Sequence, residues 1–463
     1  MSAELSDSII SGLCGVHVTS AAPPRAIWVT RKARHSFQWF QMLRLCAACG
    51  WLFWAGCAGA DPGSISPSDT LTPGATYSSL LAWVDAYHPS LRAAQAASDA
   101  AGARIVSARA LADPMLRMEL MGINRNEPRF LPAQVGQTRY TMLQSVPLGG
   151  KRGLREDAAR ADADATDERI TQVRFDLHAQ LRTAFVDYLS SFEKERINRD
   201  VLGLLKDIEQ VALTRYAAGA TPQQDVIKAQ IEQTRITAEL IAIDKERADS
   251  SARLNALLAR PANAALQTPT EWPAVPHGAV DFASLSARVE RQNPMIAEQD
   301  ATRRASRYRE TLARRGWIPD LTVGVSPVQV GSRLDSWELM FEVNIPLQVG
   351  RRRAEIREAT AMANEADARR ETEQLRITSA LSSAIAAYDS ARERLKLVEK
   401  TLIPQADVGL FAAQAGYQTA QVDFQTLVEA ERQIREARLI ALEARREQQA
   451  QFALIESLVG GTL

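Results

Sequence analysis

From Trp337 the chain is apolar at every second position: Trp337, Leu339, Phe341, Val343 and Ile345 are set against Glu338, Glu342 and Asn344. A period of two places the two sets on opposite faces of a β-strand, one wholly apolar and one mostly polar. Weaker alternation occurs at Leu116, Met118 and Leu120 against Arg117 and Glu119, at Leu321, Val323 and Val325 against Thr322, Gly324 and Ser326, and from Arg139 to Val146. The pattern predicts four strands in two hairpins. Their connections, 123–137 and 327–335, are rich in Pro, Gly and polar residues and read as loops.

The rest of the pattern is helical. Ile197, Val201, Leu204, Ile208 and Val211 step by four and three, as do Ile377, Leu381, Ala384, Tyr388, Ala391, Leu395, Val398 and Leu402. Such stripes are coiled-coil seams. No proline interrupts Lys151 to Tyr216, and only Pro404 lies between Arg351 and Tyr417. At ~1.5 Å per residue each stretch would run to about 97 Å, too long for a compact domain. Each turns, at 216–225 or 417–425, and returns through a helix ending near Leu258 or Val459. Thr221-Pro222-Gln223-Gln224 reads as a capping box at the first turn. Shorter helices are expected from Pro89 to Ala112 and from Pro294 to Arg315, each opened by proline.

These elements occur twice in the same order. His88-Pro89 and Pro114 recur as Asn293-Pro294 and Pro319, 205 residues later; Tyr216, Ala229 and Leu254 recur as Tyr417, Ala430 and Ile455, 201 later. A period near 200 exceeds any solenoid unit and indicates duplication of a domain-sized element. The expected divisions are 1–60 (extension and signal), 61–87 (N-terminal segment), 88–258 (first copy), 259–280 (Pro-rich linker), 281–459 (second copy) and a tail, 460–463.

Lys plus Arg and Asp plus Glu number 55 each, so no basic field favours nucleic acid. All four cysteines precede residue 58, leaving the body free of disulfides. From Met42, a candidate true start, one cation, a short apolar run and small residues follow the layout of a secretory signal. Cleavage after Ala60 competes with acylation of Cys57 as a lipid anchor. The remainder carries only His88, His178 and His277, with no nucleophile motif, phosphate loop or metal-spaced cluster. No enzyme, cofactor or resident metal is expected. Met115 and Met121 fall on the strand face opposite Met118, which suits gap-filling rather than metal ligation.

Single-chain outer-membrane barrels begin at eight strands, and an open edge in lipid leaves backbone groups unpaired. Four strands therefore need other copies, and three copies would supply twelve. The alternation then turns Trp337, Leu339, Phe341, Val343 and Ile345 to lipid and Glu338 and Glu342 to a wet lumen. "SVPLGGKRG" (145–153) and "NIPLQVGRRR" (344–353) mark the two corners where a strand ends and a long helix starts. Pro147 and Pro346 would stop the ladder, and Gly149, Gly150 and Gly350 would permit the bend. Lys151, Arg152, Arg351, Arg352 and Arg353 would sit at the polar interface.

"HPSLRAAQAASDAAGARIVSARALADPMLRMEL", the two corner motifs, and the turns "YAAGATPQQDVIKAQ" and "GYQTAQVDFQTLVEAE" resemble the TolC family of outer-membrane efflux ducts, in particular its heavy-metal (CzcC- and CusC-like) branch. The resemblance covers about residues 75–460. It implies a homotrimer with a twelve-stranded barrel in outer-membrane lipid and a helical tunnel through the periplasm. The tunnel tip would dock on a membrane-fusion adaptor and an inner-membrane RND-type pump. In such ducts acidic side chains ring the tip; the matching positions here are Thr426 and Glu429, so one acid is replaced by a hydroxyl. Gly219, Ala220, Thr221, Gln421 and Asp423 would contact the adaptor. The same fold accommodates drug export or type I protein secretion. From another class, a soluble periplasmic coiled-coil scaffold or adaptor would account for the helices but not for the strands.

Overall fold

The structure, a computed structural model, describes residues 73–126, 128–275, 278 and 280–461. Met42, the signal and Cys57 lie outside them. The elements in chain order are α1 (Tyr77–Tyr87), α2 (Pro89–Arg109), β1 (Met115–Met121), β2 (Gln137–Val146), α3 (Lys151–Ala217), α4 (Gln223–Leu257), α5 (Phe282–Gln292), α6 (Pro294–Arg314), β3 (Leu321–Val330), β4 (Arg333–Val343), α7 (Val349–Leu397), α8 (Ile403–Gln418) and α9 (Phe424–Val459).

The strands form one antiparallel sheet in the order β1-β2-β3-β4. Beneath it α2, α3, α6 and α7 pack side by side in the same order, so each strand stands over the helix to which it connects. Further down, α4 packs on α3, α3 on α9, and α9 on α7 and α8. One flank of the molecule is therefore β1, α2 and α4, and the other is β4, α7 and α8. Among the described residues, neither flank is covered.

The duplication extends to the core. Leu80, Val84 and Leu91 of the first copy occupy the places of Leu285, Val289 and Ile296 in the second, and Leu177, Leu181 and Tyr188 those of Ile377, Leu381 and Tyr388. Short helices α1 and α5 contribute one to each cluster, and α1 lies before the start expected for the first copy. A third cluster joins the two helical hairpins near their turns through Val201, Leu205, Ile208, Tyr417, Phe424 and Leu427. The Pro-rich 259–280 segment packs as well as connects: its Gln267 and Thr270 amides donate to the Pro73 and Ala75 carbonyls (3.1 and 3.2 Å).

Several expectations are corrected. Most of 327–335 is strand: β3 runs to Val330 and a tight turn at Gly331 (φ 57°) and Ser332 leads into β4. The α3 seam is Ile197, Val201, Leu205, Ile208 and Ala212; Leu204 and Val211 flank it. In the second copy the stripe holds to Val398 and then fails, because residues 398–402 form a π-turn. Pro404 has no N–H to donate and its ring crowds the carbonyl four residues back, which widens the turn. The extra residue rotates Leu402 out of the seam, leaving it exposed.

Candidate functional site

The sheet separates two chemistries across its thickness. On one face stand Leu116 and Met118, Met142, Val325, and Trp337, Leu339, Phe341 and Val343, all exposed although apolar. Ile345, just beyond β4, is exposed as well. On the other face Arg139 is paired with Glu119 (3.3 Å) on one side and Glu338 (2.8 Å) on the other. The Ser326 hydroxyl donates to Thr141 (2.8 Å) below them. An exposed apolar face backed by an ion-paired polar face suits a wall between lipid and water.

At the first corner β2 stops at Val146, directly before Pro147, and Gly149 and Gly150 take φ of 70° and 72°. A Cβ on Gly149 would lie 2.5 Å from Ile318 Cδ1, so close approach as well as turn geometry requires glycine there. Lys151 is buried, not at a polar interface: its ammonium donates to the Ile318 carbonyl (2.6 Å) and to Asp320 (2.8 Å), clamping the first copy to the second. The second corner differs. β4 ends at Val343, three residues before Pro346, and Gly350 lies inside α7, which starts at Val349. Gln348 makes the bend with φ −81° and ψ 76°, and Gly350 contributes no left-handed residue.

The two hairpin turns form the opposite end. Gly219 (φ 70°) and Ala420 (φ 62°) are left-handed at equivalent places, and the following amides, Ala220 and Gln421, each donate five residues back (2.8 Å). Ala420 adopts a conformation that disfavours a Cβ. The expected capping box is absent: Pro222 itself is the N-cap of α4, so Thr221 stands one residue too early. The second copy has the cap. Asp423 accepts from the Thr426 amide (2.9 Å) and hydroxyl (2.6 Å), and these bonds, the hydroxyl first, hold its carboxyl below the usual range. Glu429 lies one turn along the same exposed face of α9, where Gln433 donates to it (3.4 Å). Gly219, Ala220 and Gln421 are exposed at the turns.

Other residues of the tip and equator carried little signal. Tyr417 is buried edge-on against Phe424, with the Arg215 guanidinium 4.6 Å over its ring, whereas its counterpart Tyr216 is exposed. Between the hairpins, Arg432 of α9 pairs with Glu232 of α4, and Arg435 with Glu239 (2.8 Å). Glu431, 1% exposed, lies 3.8 Å from the Arg435 Nε. Burial pushes its carboxyl up to about 7, against the lowering pull of Arg435 and with a further push from Glu232. At the equator buried Arg182 pairs with Glu456 (2.6 Å) and Gln449 (3.1 Å) between the Tyr77 and Phe452 rings. A lone cation inside the Leu177-Leu181-Phe185 stripe was the available sign.

No described helix is long and apolar enough to cross a membrane. Among the described residues no group of three or more His, Cys, Asp or Glu side chains is placed to hold a metal ion.

A model of the outer membrane efflux protein family matches residues 84–260 and again 285–461. The cobalt-zinc-cadmium resistance protein CzcC of Cupriavidus metallidurans is 26% identical over 366 residues, 75% of this chain and 81% of that protein. The nickel-cobalt-cadmium resistance protein NccC of Alcaligenes xylosoxydans xylosoxydans is 25% identical over 67% of this chain and 69% of its own. Among solved structures, the outer-membrane channel OprN superposes with a TM-score of 0.73 at 20% identity, covering 83% of this chain and 90% of that one. CusC superposes at 0.71 and 17%, covering 83% and 92%.

Proposed function

The chain belongs to the outer membrane efflux protein family, and from that premise we propose that it is the exit duct of a tripartite efflux assembly for heavy-metal cations. Its fold is that of the family's outer-membrane channels: a strand domain for the outer membrane and a helical part for the periplasm. The carrying observation is the four-stranded sheet, with both edges unpaired among the described residues and one face apolar where it is exposed. Three copies would close it into twelve strands, with Leu339 and Phe341 toward lipid and the Glu119–Arg139–Glu338 ladder toward water.

The family and fold are those of passive channels, so the chain does no chemistry on its cargo. Energy would come from an RND-type pump in the inner membrane, joined through a periplasmic adaptor. The turn residues Gly219, Ala220, Thr221, Gln421 and Asp423, all exposed except half-buried Thr221, would meet that adaptor. Glu429 would stand near the tunnel axis as a ring of three carboxylates attracting cations. Thr426, committed to the Asp423 cap, would add only a hydroxyl. Cobalt, zinc, cadmium or nickel is the cargo suggested by the names of the two relatives.

The test is a deletion strain challenged with these ions, combined with fractionation of the restored protein. Restored tolerance, with a heat-dissociable trimer in the outer-membrane fraction, is expected. A water-soluble monomer needing no detergent would overturn the reading.

A further inference from the structure

The end of the sheet that meets the helices carries a surplus of positive charge. β2 and β4 stop level with each other, since Val146 and Val343 both pair with Leu321 at the start of β3. Three segments converge there: 148–155 at the start of α3, 314–318 between α6 and β3, and 347–353 at the start of α7. Together they hold eight lysines and arginines and no aspartate or glutamate. The opposite end of the sheet, 122–136 and 331–335, has three cations and two acids, so the surplus belongs to one end alone.

The three segments form one patch. The Arg315 guanidinium donates to the Gly149 carbonyl, and the Lys151 ammonium to that of Ile318 (2.6 Å). A Cβ on Gly316 would lie 3.3 Å from Arg352 Nη1, which places that guanidinium over the 314–318 turn. Carboxylates outside the segments engage half of the cations: Asp320 holds Lys151, Glu310 holds Arg314, and Glu355 holds both Arg351 and Arg352. Arg152, Arg155, Arg315 and Arg353 have no carboxylate partner among the described residues.

Two features point to an anion of a particular kind. Cations in the first turn of a helix oppose its dipole, which favours negative charge there. Both α3 and α7 place cations in the first turn, and neither has a capping side chain or a first-turn acid. The patch also borders exposed apolar surface: Leu347 is 80% exposed, and Leu148, Trp317, Ile345 and Val349 are exposed as well. Ile345 continues the alternation of the apolar face of β4. A hydrocarbon core of ~30 Å within a bilayer of ~40–45 Å leaves a headgroup band of about 5–8 Å on each side. Arg353 lies four residues, or about 6 Å, along α7 from Val349, and Arg155 the same distance along α3 from Lys151. Both fall within that band, at the depth of lipid phosphates.

We propose that this patch binds the anionic headgroups of phospholipids in the periplasmic leaflet of the outer membrane, with Arg152, Arg155, Arg315 and Arg353 taking the phosphates. Basic side chains beside an apolar wall select anionic over zwitterionic lipid, and Trp317 sits where an interfacial aromatic belongs. The occupant is a lipid because the cations continue directly from the lipid-facing surface of the sheet. The proposal rests on the outer-membrane reading above and adds a lipid class to it.

The test offers the detergent-solubilised protein phosphatidylglycerol or phosphatidylcholine of identical acyl chains and counts the retained lipid by native mass spectrometry. The parent is expected to favour phosphatidylglycerol roughly fivefold or more, an advantage that high salt erodes. Arg152→Gln/Arg155→Gln/Arg353→Gln is expected to abolish the preference while the heat-dissociable trimer still forms. Arg353→Gln alone, at an exposed position, is expected to lower it and serves if the triple variant fails to assemble. Equal retention of the two lipids by the parent, or an undiminished preference in the variants, overturns the patch while leaving the duct intact. Inorganic phosphate that raises the parent's Tm as much as phosphatidylglycerol does at equal concentration overturns it too, assigning the patch to a free anion. Parent protein that is monomeric and water-soluble without detergent overturns both.

Discussion

Glu431 places a titration inside the joint between the hairpins. Its carboxyl rises from 4.5 to about 7. At ~1.36 kcal/mol per tenfold change in proton affinity this is worth roughly 3 kcal/mol per chain between the two protonation states. A raised carboxylate pKa means that the folded state holds the proton more tightly than the unfolded one. Stability from this group is then fully present below pH 4.5 and is lost as pH climbs through 7. Glu431→Gln keeps the shape and removes the charge. The variant should match the parent near pH 4.5 and exceed it by about 2–3 kcal/mol per chain at pH 8, allowing for some water entry. Thermal unfolding followed by helical circular dichroism, run on both proteins from pH 4.5 to 8, measures the difference curve, in which the many other carboxylates cancel. A flat difference curve would refute the reasoning, showing that Arg435 already satisfies the anion at 3.8 Å.

Ala420→Gly should stabilise the second turn by about 0.5–1 kcal/mol by removing the left-handed penalty on a Cβ, read as a higher midpoint in denaturant; no gain would mean that the turn opens without cost. Gly149→Ala should destabilise by roughly 2 kcal/mol or more through positive φ together with the Ile318 collision, and trimer yield after heating reports it. Glu429→Ala should leave assembly intact and change ion conductance and cation preference in planar bilayers; identical traces would remove Glu429 from the tip ring.

Strand number, the two hairpin pairings and the apolar face were legible because alternation is a local signal and the duplication repeats it, whereas the pairing of β2 with β3 was not. The long helices and α2 and α6 were legible for the same reason, to within two or three residues at most ends, whereas α1, α5 and the division of α7 from α8 were not read. What escaped depends on contacts distant in sequence. Lys151 looks like one more cation in a basic corner, and only the return of Ile318 and Asp320 from the second copy buries it. Gly350 copies Gly149-Gly150 in sequence, yet α7 begins early and absorbs it. Thr221 and Gln224 have the spacing of a capping box, but proline at 222 shifts the helix start. Glu431 sits among four charged neighbours in "EAERQIRE", and nothing local distinguishes it from Glu429, which is exposed.

The π-turn at 398–402 also keeps the length account between the two halves of the gene product. Before it in the chain, equivalent core residues are 200 apart, as in Leu181 and Leu381; after it equivalent positions are 201 apart, as in the turn residues Gly219 and Ala420. One additional amino acid in an ordinary helix would swing everything beyond it by about 100°. Here the surplus is taken up within a single widened loop of backbone, like an expansion joint in a rail, so the far end of the rod still points as its twin does. Excising one residue from 398–402 would therefore restore an unbroken α-helix and bring the second copy into the spacing of the first.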